Sequence, residues 1–157
     1  MRSTSLSSVA VLAGVFGLAT VGWGGSEEIP AQRASAMAEL TFGISVTTDK
    51  ASYAAGERIV IELIVFNRTP DQLTFHFRDA QRYDFVIEDA EGKRVWRSAE
   101  GQMFAQVLGE ETVGPGHEEM VYTETYAGPL EPGDYNVIGS LVAQDRPLSA
   151  SLTITIN

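Results

Sequence analysis

From Leu40 onward, apolar residues recur at alternate positions in short runs broken by Gly, Pro and Asp, and no stretch sustains a helical period. Period-two alternation puts one set of side chains on one face of an extended strand, so each run predicts a strand with a face toward a core. Leu40, Phe42, Ile44 and Val46 make the first set. In the run from Arg58 to Asn67, Ile59, Ile61, Leu63 and Val65 share one face, while Val60, Ile64 and Phe66 make the other face apolar too. A strand of that kind is central in its sheet, or has its second face covered by a loop or a partner.

The alternation continues through Leu73, Phe75 and Phe77, then Tyr83, Phe85 and Ile87, which stand opposite Asp84, Val86 and Glu88. Asp89 to Gly92 reads as a hairpin turn in which Gly92 takes the positive φ such turns need, and Lys93 to Arg97 returns beside the preceding strand. Ser98 to Gly109 holds neither period and is expected to be mostly loop with a short helical turn. Met120, Tyr122, Glu124 and Tyr126 alternate after the Gly114-Pro115-Gly116 turn. Tyr135, Val137, Gly139 and Leu141 form the next strand, and Leu148, Ala150, Leu152, Ile154 and Ile156 the last. About seven to nine such strands predict an all-β fold, an antiparallel immunoglobulin-like β-sandwich, with a closed barrel as the alternative. Pro132, Gly133 and Tyr135 fit the tyrosine-corner pattern, in which a phenol bonds back to loop backbone at the start of a late strand.

The N-terminus departs from this pattern. Met1-Arg2 is a short positive start, and Val9 to Val21 is an uncharged apolar run shorter than the about 20 residues that span a bilayer. Its length matches the apolar region of a secretory signal, with small residues at Gly22, Gly24, Gly25 and Ser26 for cleavage. The expected organisation is therefore a signal peptide over 1–25, a flexible linker over 26–39 and the sandwich over 40–157. An exported domain is expected, periplasmic, in the envelope or extracellular, and membrane-anchored if the N-terminal segment is retained.

Charge narrows the partners. Twenty-one acidic residues against 11 basic ones give a net charge of -10 over 157 residues, which disfavours phosphate backbones, so no nucleic acid is expected. No cysteine is present, which removes disulfides, thiol nucleophiles and Cys-based metal sites. The two histidines, His76 and His117, lie in different segments without metal-ligand spacing. Asp79, Asp84, Asp89, Glu91, Glu110, Glu111, Glu118 and Glu119 contain no calcium-loop spacing and read as a solvated acidic face. No Gly-x-Ser-x-Gly context supports a nucleophilic serine. Neither a catalytic residue, nor a metal, nor a cofactor is expected. Asn67-Arg68-Thr69 matches a glycosylation triplet, to which no role is assigned.

Several of these pieces fall in a recognisable order. Phe75-His76-Phe77, Tyr83 to Ile87, Val95-Trp96-Arg97-Ser98, Met103-Phe104-Ala105-Gln106, Pro115-Gly116-His117-Glu118 and Pro132-Gly133-Asp134-Tyr135 together resemble the intracellular proteinase inhibitor (BsuPI) domain family, over roughly Leu40 to Val142. The resemblance implies a non-enzymatic immunoglobulin-like sandwich and, from the founding member, inhibition of an intracellular subtilisin-like serine protease. Its signature residues here are Trp96, Phe104, Gln106, Pro132, Gly133 and Tyr135. Trp96 and Phe104 serve either as plugs of the sandwich end or as the rim of a partner-binding patch. An inhibitor of this kind would present an exposed segment held extended in the protease cleft. Ser98, Ala99, Glu100, Gly101, Gln102 and Met103 are the candidate partner-binding residues, with Gly128 to Asp134 as a second segment. The competing expectation is an envelope or extracellular accessory module that binds a non-protease protein through a sheet face or edge, motivated by Val60, Ile64 and Phe66 on the second face of the Arg58–Asn67 strand, which need a cover.

Overall fold

A computed structural model describes Ala10–Val11 and Phe42–Asn157. The expected linker lies outside the described residues, as does the expected signal segment apart from Ala10–Val11. The chain forms β1 (Ala10–Val11), β2 (Phe42–Thr48), β3 (Ser52–Tyr53), β4 (Ile59–Asn67), β5 (Leu73–Phe77), β6 (Tyr83–Glu88), β7 (Arg94–Arg97), β8 (Gly109–Val113), β9 (Glu118–Tyr126), β10 (Gly133–Leu141) and β11 (Leu148–Ile156). Among the described residues there is no helix, and hence none long and apolar enough to cross a membrane.

Two sheets face one another. One has the order β1-β2-β4-β9, the other β3-β11-β10-β6-β7, and β5 pairs with β8 in a separate two-stranded sheet. Neighbouring strands are antiparallel except for β3 with β11. Ten strands between Phe42 and Ile156, against the seven to nine expected, arise because β3 and β8 are strands by pairing alone. Only Tyr53 of β3 and Val113 of β8 are buried, too little alternation to register in the sequence.

The core lies where β2 and β4 pack on β11 and β10. Ile44, Val46, Ile61, Leu63 and Val65 contribute from the first sheet, and Phe85, Ile87, Val137 and Ile154 from the second, all without solvent exposure. Each such side chain stabilises the fold by about 1.5–3 kcal/mol relative to exposure. Side chains of both sheets crowd Gly139 of β10, where a Cβ would lie 2.6 Å from Leu63 Cδ1 and 3.2 Å from Phe85 Cε1. Hydrogen removes that conflict; any larger side chain would wedge the sheets apart.

The apolar second face of β4 is partly covered from within the domain. Phe66 is 8% exposed because its ring lies over Gly43 of β2, where a Cβ would sit 2.8 Å from Phe66 Cζ, and the Arg68 guanidinium stands 5.0 Å from the ring centroid. Val60 and Ile64 are half-buried.

Asn67, the residue of the glycosylation triplet, is fully buried and joins three segments. Its amide nitrogen donates to the carbonyls of Asp71, Val113 and Gly114, and its oxygen accepts from the Thr69 amide at 2.9 Å and the Thr69 hydroxyl at 2.7 Å. A side chain bonded in this way satisfies its buried polar atoms within the fold and holds β8 against the end of β4.

Candidate functional site

The loop between β7 and β8 is built on one buried carboxylate. Asp84 of β6 is 6% exposed, which removes it from the acidic face to which its position in the alternation assigned it. The reason is tertiary: the chain leaving β7 folds over it and supplies donors. Asp84 Oδ2 accepts from Arg97 Nε at 2.6 Å, and Oδ1 accepts from the Ser98 hydroxyl at 3.1 Å. Ser98 is fixed on its other sides as well, its amide donating to Phe85 O at 2.8 Å and its hydroxyl accepting from the Phe85 amide at 2.9 Å. Charge-assisted bonds to a buried carboxylate are the stronger kind, and here they set where the loop departs.

From that anchor the candidate residues divide into two sets. Ser98 to Gln102 form two successive turns, closed by Glu100 N–H to Arg97 O and Gln102 N–H to Ala99 O, both at 3.2 Å, with Gly101 at φ 74°. The Gln102 side-chain amide returns to Ser98 O at 2.7 Å. Ser98 and Ala99 are half-buried and Glu100, Gly101 and Gln102 exposed, yet their main chain is turned inward on itself. The free run comes next. Met103 is 99% exposed, Val107 62% and Leu108 80%. Sequence reasoning reached Met103 and stopped short of Val107 and Leu108, whose signal was an apolar pair outside any alternating run.

Phe104 and Ala105 hold this run to the body. Phe104 turns inward, half-buried, into a hollow shared with Tyr83, Ala99, Gln102 and Glu124. Ala105 O accepts from the Ala80 amide at 2.9 Å and from the Val107 amide at 2.8 Å, the second bond closing a three-residue turn at Gln106. Gln106 itself is exposed. The segment ends where Gly109 enters β8, whose pairing with β5 ties it down.

A second hollow lies beside that end, lined by His76, Phe77, Leu108, Glu110 and Asp145. His76 Nδ1 lies 3.1 Å from Asp145 Oδ2 and Nε2 lies 3.4 Å from Glu110 Oε1, so the imidazole links β8 to the β10–β11 connection. The bond to Asp145 raises the His76 pKa above its ordinary value, and the His76 amide, followed by its ring, lowers that of Asp145. Among the described residues no group of three or more His, Asp or Glu side chains is placed to hold a metal ion.

The remaining signature residues are distributed through the sandwich. Trp96 is half-buried on the inner face of β7, its ring centroid 5.2 Å from that of Tyr126 in β9. Tyr135 is 8% exposed and its hydroxyl donates to Glu131 O at 3.0 Å, while Pro132 and Gly133 are exposed in the turn between them. The second candidate segment, Gly128 to Asp134, is drawn onto the body. Leu130 is 8% exposed and the Tyr126 hydroxyl donates to Pro129 O at 3.1 Å. It therefore has less free main chain than Met103–Leu108.

Residues 46–146, well over half of the chain, match the family described as intracellular proteinase inhibitor (BsuPI). No curated protein matches the sequence closely enough to count as a relative. Among solved structures, the chain is similar to Spo0M, a sporulation control protein from Bacillus subtilis, at 18% identity and a TM-score of 0.48, over 74% of this chain and 49% of Spo0M, so it spans about half the length of that protein. It is also similar to the CARDB domain of PF1109 from Pyrococcus furiosus, at 11% identity and a TM-score of 0.43 over 74% of this chain and 94% of that one. The family description corrects the expectation of export, because an intracellular inhibitor is at odds with an exported location. The leader reading rested on a basic start and an apolar run, a pattern that small and β-branched residues also produce when they enter a sheet. Within that run, Ala10 pairs with Val46 and Val11 with Ser45 on the edge of β2. By its sequence match, with the sandwich that carries it, the chain belongs to the intracellular proteinase inhibitor (BsuPI) family.

Proposed function

We propose that this chain inhibits a subtilisin-like serine protease by laying Met103–Leu108 in the active-site cleft. The carrying observation is that three large apolar side chains, Met103, Val107 and Leu108, stand 62–99% exposed on one short segment whose two ends are anchored. Apolar surface left in water gains free energy when a partner covers it, and a segment already held in place loses little entropy on binding. Protease clefts hold a substrate strand through main-chain hydrogen bonds and pockets for side chains, and at Met103 the segment offers an exposed apolar side chain on main-chain groups that have no partner among the described residues. The family association supports a proteinase as the partner and an inhibitor rather than an enzyme. The serine class comes from the resemblance to the founding inhibitor.

The test is a titration of the purified full chain against a panel of subtilisin-like serine proteases. Residual activity is expected to fall to a plateau near zero at stoichiometric protein for at least one of them. Full activity throughout, with the chain in large excess, overturns the proposal. Loss of activity that persists when Met103, Val107 and Leu108 are all replaced by serine removes the segment from the mechanism and leaves the inhibitor.

A further inference from the structure

We infer that Met103 is the side chain that enters the primary specificity pocket of the target, so that the target accepts a long, unbranched apolar side chain there. This rests on the inhibitor reading above and goes beyond it by choosing one residue among the exposed apolar ones.

Exposure alone does not choose. Leu108 is 80% exposed but lines the hollow with His76 and Phe77, leaning toward its own domain. Val107 is 62% exposed and follows a three-residue turn, since its amide donates to Ala105 O at 2.8 Å. That amide is therefore already committed within the turn and has no hydrogen left for a main-chain bond to a protease. Met103 has neither obstacle. At 99% exposure its side chain meets no surface of its own domain. Its own amide and carbonyl have no hydrogen-bond partner among the described residues. A serine protease uses those two groups of the residue in its primary pocket, taking the amide hydrogen in a main-chain bond and the carbonyl oxygen in the oxyanion hole.

The flanks of Met103 carry the rest. On the N-terminal side Gln102 bonds to Ala99 O and Ser98 O, and Ser98 is held by Asp84 and Phe85. On the C-terminal side the Phe104 ring is turned into the hollow beside Tyr83 and Glu124, and Ala105 O is held by the Ala80 amide. The peptide links on either side of Met103 are therefore bracketed by fixed points within two residues. A bond so bracketed is presented to the protease and at the same time kept from the further distortion that cleavage demands. The thioether side chain adapts to apolar pockets of differing shape, which suits a broad pocket.

The experiment compares the full-length wild type with Met103→Asp, Met103→Lys and Leu108→Asp, against a subtilisin-like protease with an apolar primary pocket and a trypsin-like one with an acidic pocket. Met103→Asp is expected to weaken inhibition of the first roughly 100-fold, the effect of forcing a carboxylate into an apolar pocket, and Leu108→Asp, at the edge of the same contact, by about tenfold or less. Met103→Lys is expected to lose the first protease and gain the second. All three variants should melt with the wild type, because neither side chain packs in the core. Wild-type inhibition that survives Met103→Asp within about threefold overturns this inference and leaves the inhibitor reading standing. A loss on Leu108→Asp as large as on Met103→Asp also overturns it. Absence of inhibition by the wild type overturns both.

Discussion

Replacing Asp84 by asparagine keeps the shape of the side chain and removes its charge, which makes it a direct probe of how the β7–β8 loop is held. The carboxylate accepts from Arg97 Nε at 2.6 Å and from the Ser98 hydroxyl at 3.1 Å, with the Ala99 amide a distant third at 3.4 Å. Hydrogen bonds to a charged acceptor contribute about 1.5–3 kcal/mol each and neutral ones about 0.5–1.5, so neutralisation costs about 1 kcal/mol per strong bond. The Arg97 share is smaller, because its side chain is 41% exposed and water replaces part of what it loses. An amide also has one donor end. Turned from Arg97, it faces the Ser98 hydroxyl, which then has no acceptor in Asp84 while its oxygen is already engaged by the Phe85 amide.

The sum is a loss of about 1.5–2 kcal/mol for Asp84→Asn and about 3 for Asp84→Ala, which leaves Arg97 and Ser98 without the partner altogether. Urea unfolding followed by circular dichroism should show a midpoint lower by about 1 M for Asp84→Asn. Amide exchange separates a loop effect from a global one. Ser98 N–H and Gln102 N–H, both bonded within the loop, should exchange about 10- to 30-fold faster, and by more than amides of β10 and β11. An Asp84→Asn protein within about 0.5 kcal/mol of wild type, with loop exchange unchanged, would refute the carboxylate as the anchor. Ser98→Ala made on each background completes a cycle, and a coupling near zero would refute the shared network in particular.

Two further outcomes follow from the geometry. Gly139→Ala should lower stability by about 1–3 kcal/mol in urea unfolding, because its Cβ would meet Leu63 Cδ1 at 2.6 Å between the sheets; an unchanged midpoint would mean that the sheets separate freely there. The His76–Asp145 pair should give a pH-dependent stabilisation with a defined window. The His76 pKa is raised from 6.5, so its contribution is full below 6.5 and lost as pH rises through the raised value, while that of Asp145 is lowered from 3.8, so its contribution is full above 3.8 and lost as pH falls through the lowered value. The melting difference between wild type and His76→Gln should be largest between those limits and close above them, and a difference that is flat across pH would refute the pairing.

The parts of the fold that were legible in the sequence are those in which local pattern and tertiary burial agree. The β4 face of Ile59, Ile61, Leu63 and Val65 is at most 1% exposed because the partner sheet lies on the side that the alternation marks. Tyr135 was legible for the same reason: the Pro-Gly turn brings its phenol back to loop backbone, where it donates to Glu131 O, and its ring is buried. Strand β8, Gly-Glu-Glu-Thr-Val, was not legible, because its extended form comes from pairing with β5 and from the Asn67 amide that bonds Val113 O. Asp84 misled in the opposite direction. Alternation fixes which face of a strand a side chain takes, and says nothing of a later loop that returns to cover that face.

That same limit applies to the loop between β7 and β8. Ser98 to Gln102 lack a period, and in the structure they form a clasp that Ser98 fixes to Asp84 while Glu100 and Gln102 close turns on Arg97 and Ala99. A residue without periodicity can be either the clasp or the presented segment, and the difference lies in where its main-chain hydrogen bonds go. For Ser98 and Gln102 they go inward, to Phe85, Ala99 and Ser98. At Met103 they stop. An apolar side chain left 99% in water, on main-chain groups without a partner among the described residues and between fixed neighbours, adds little to the stability of its own domain, and this is what supports the proposal that the clasp and the Phe104 ring present Met103 to a protease.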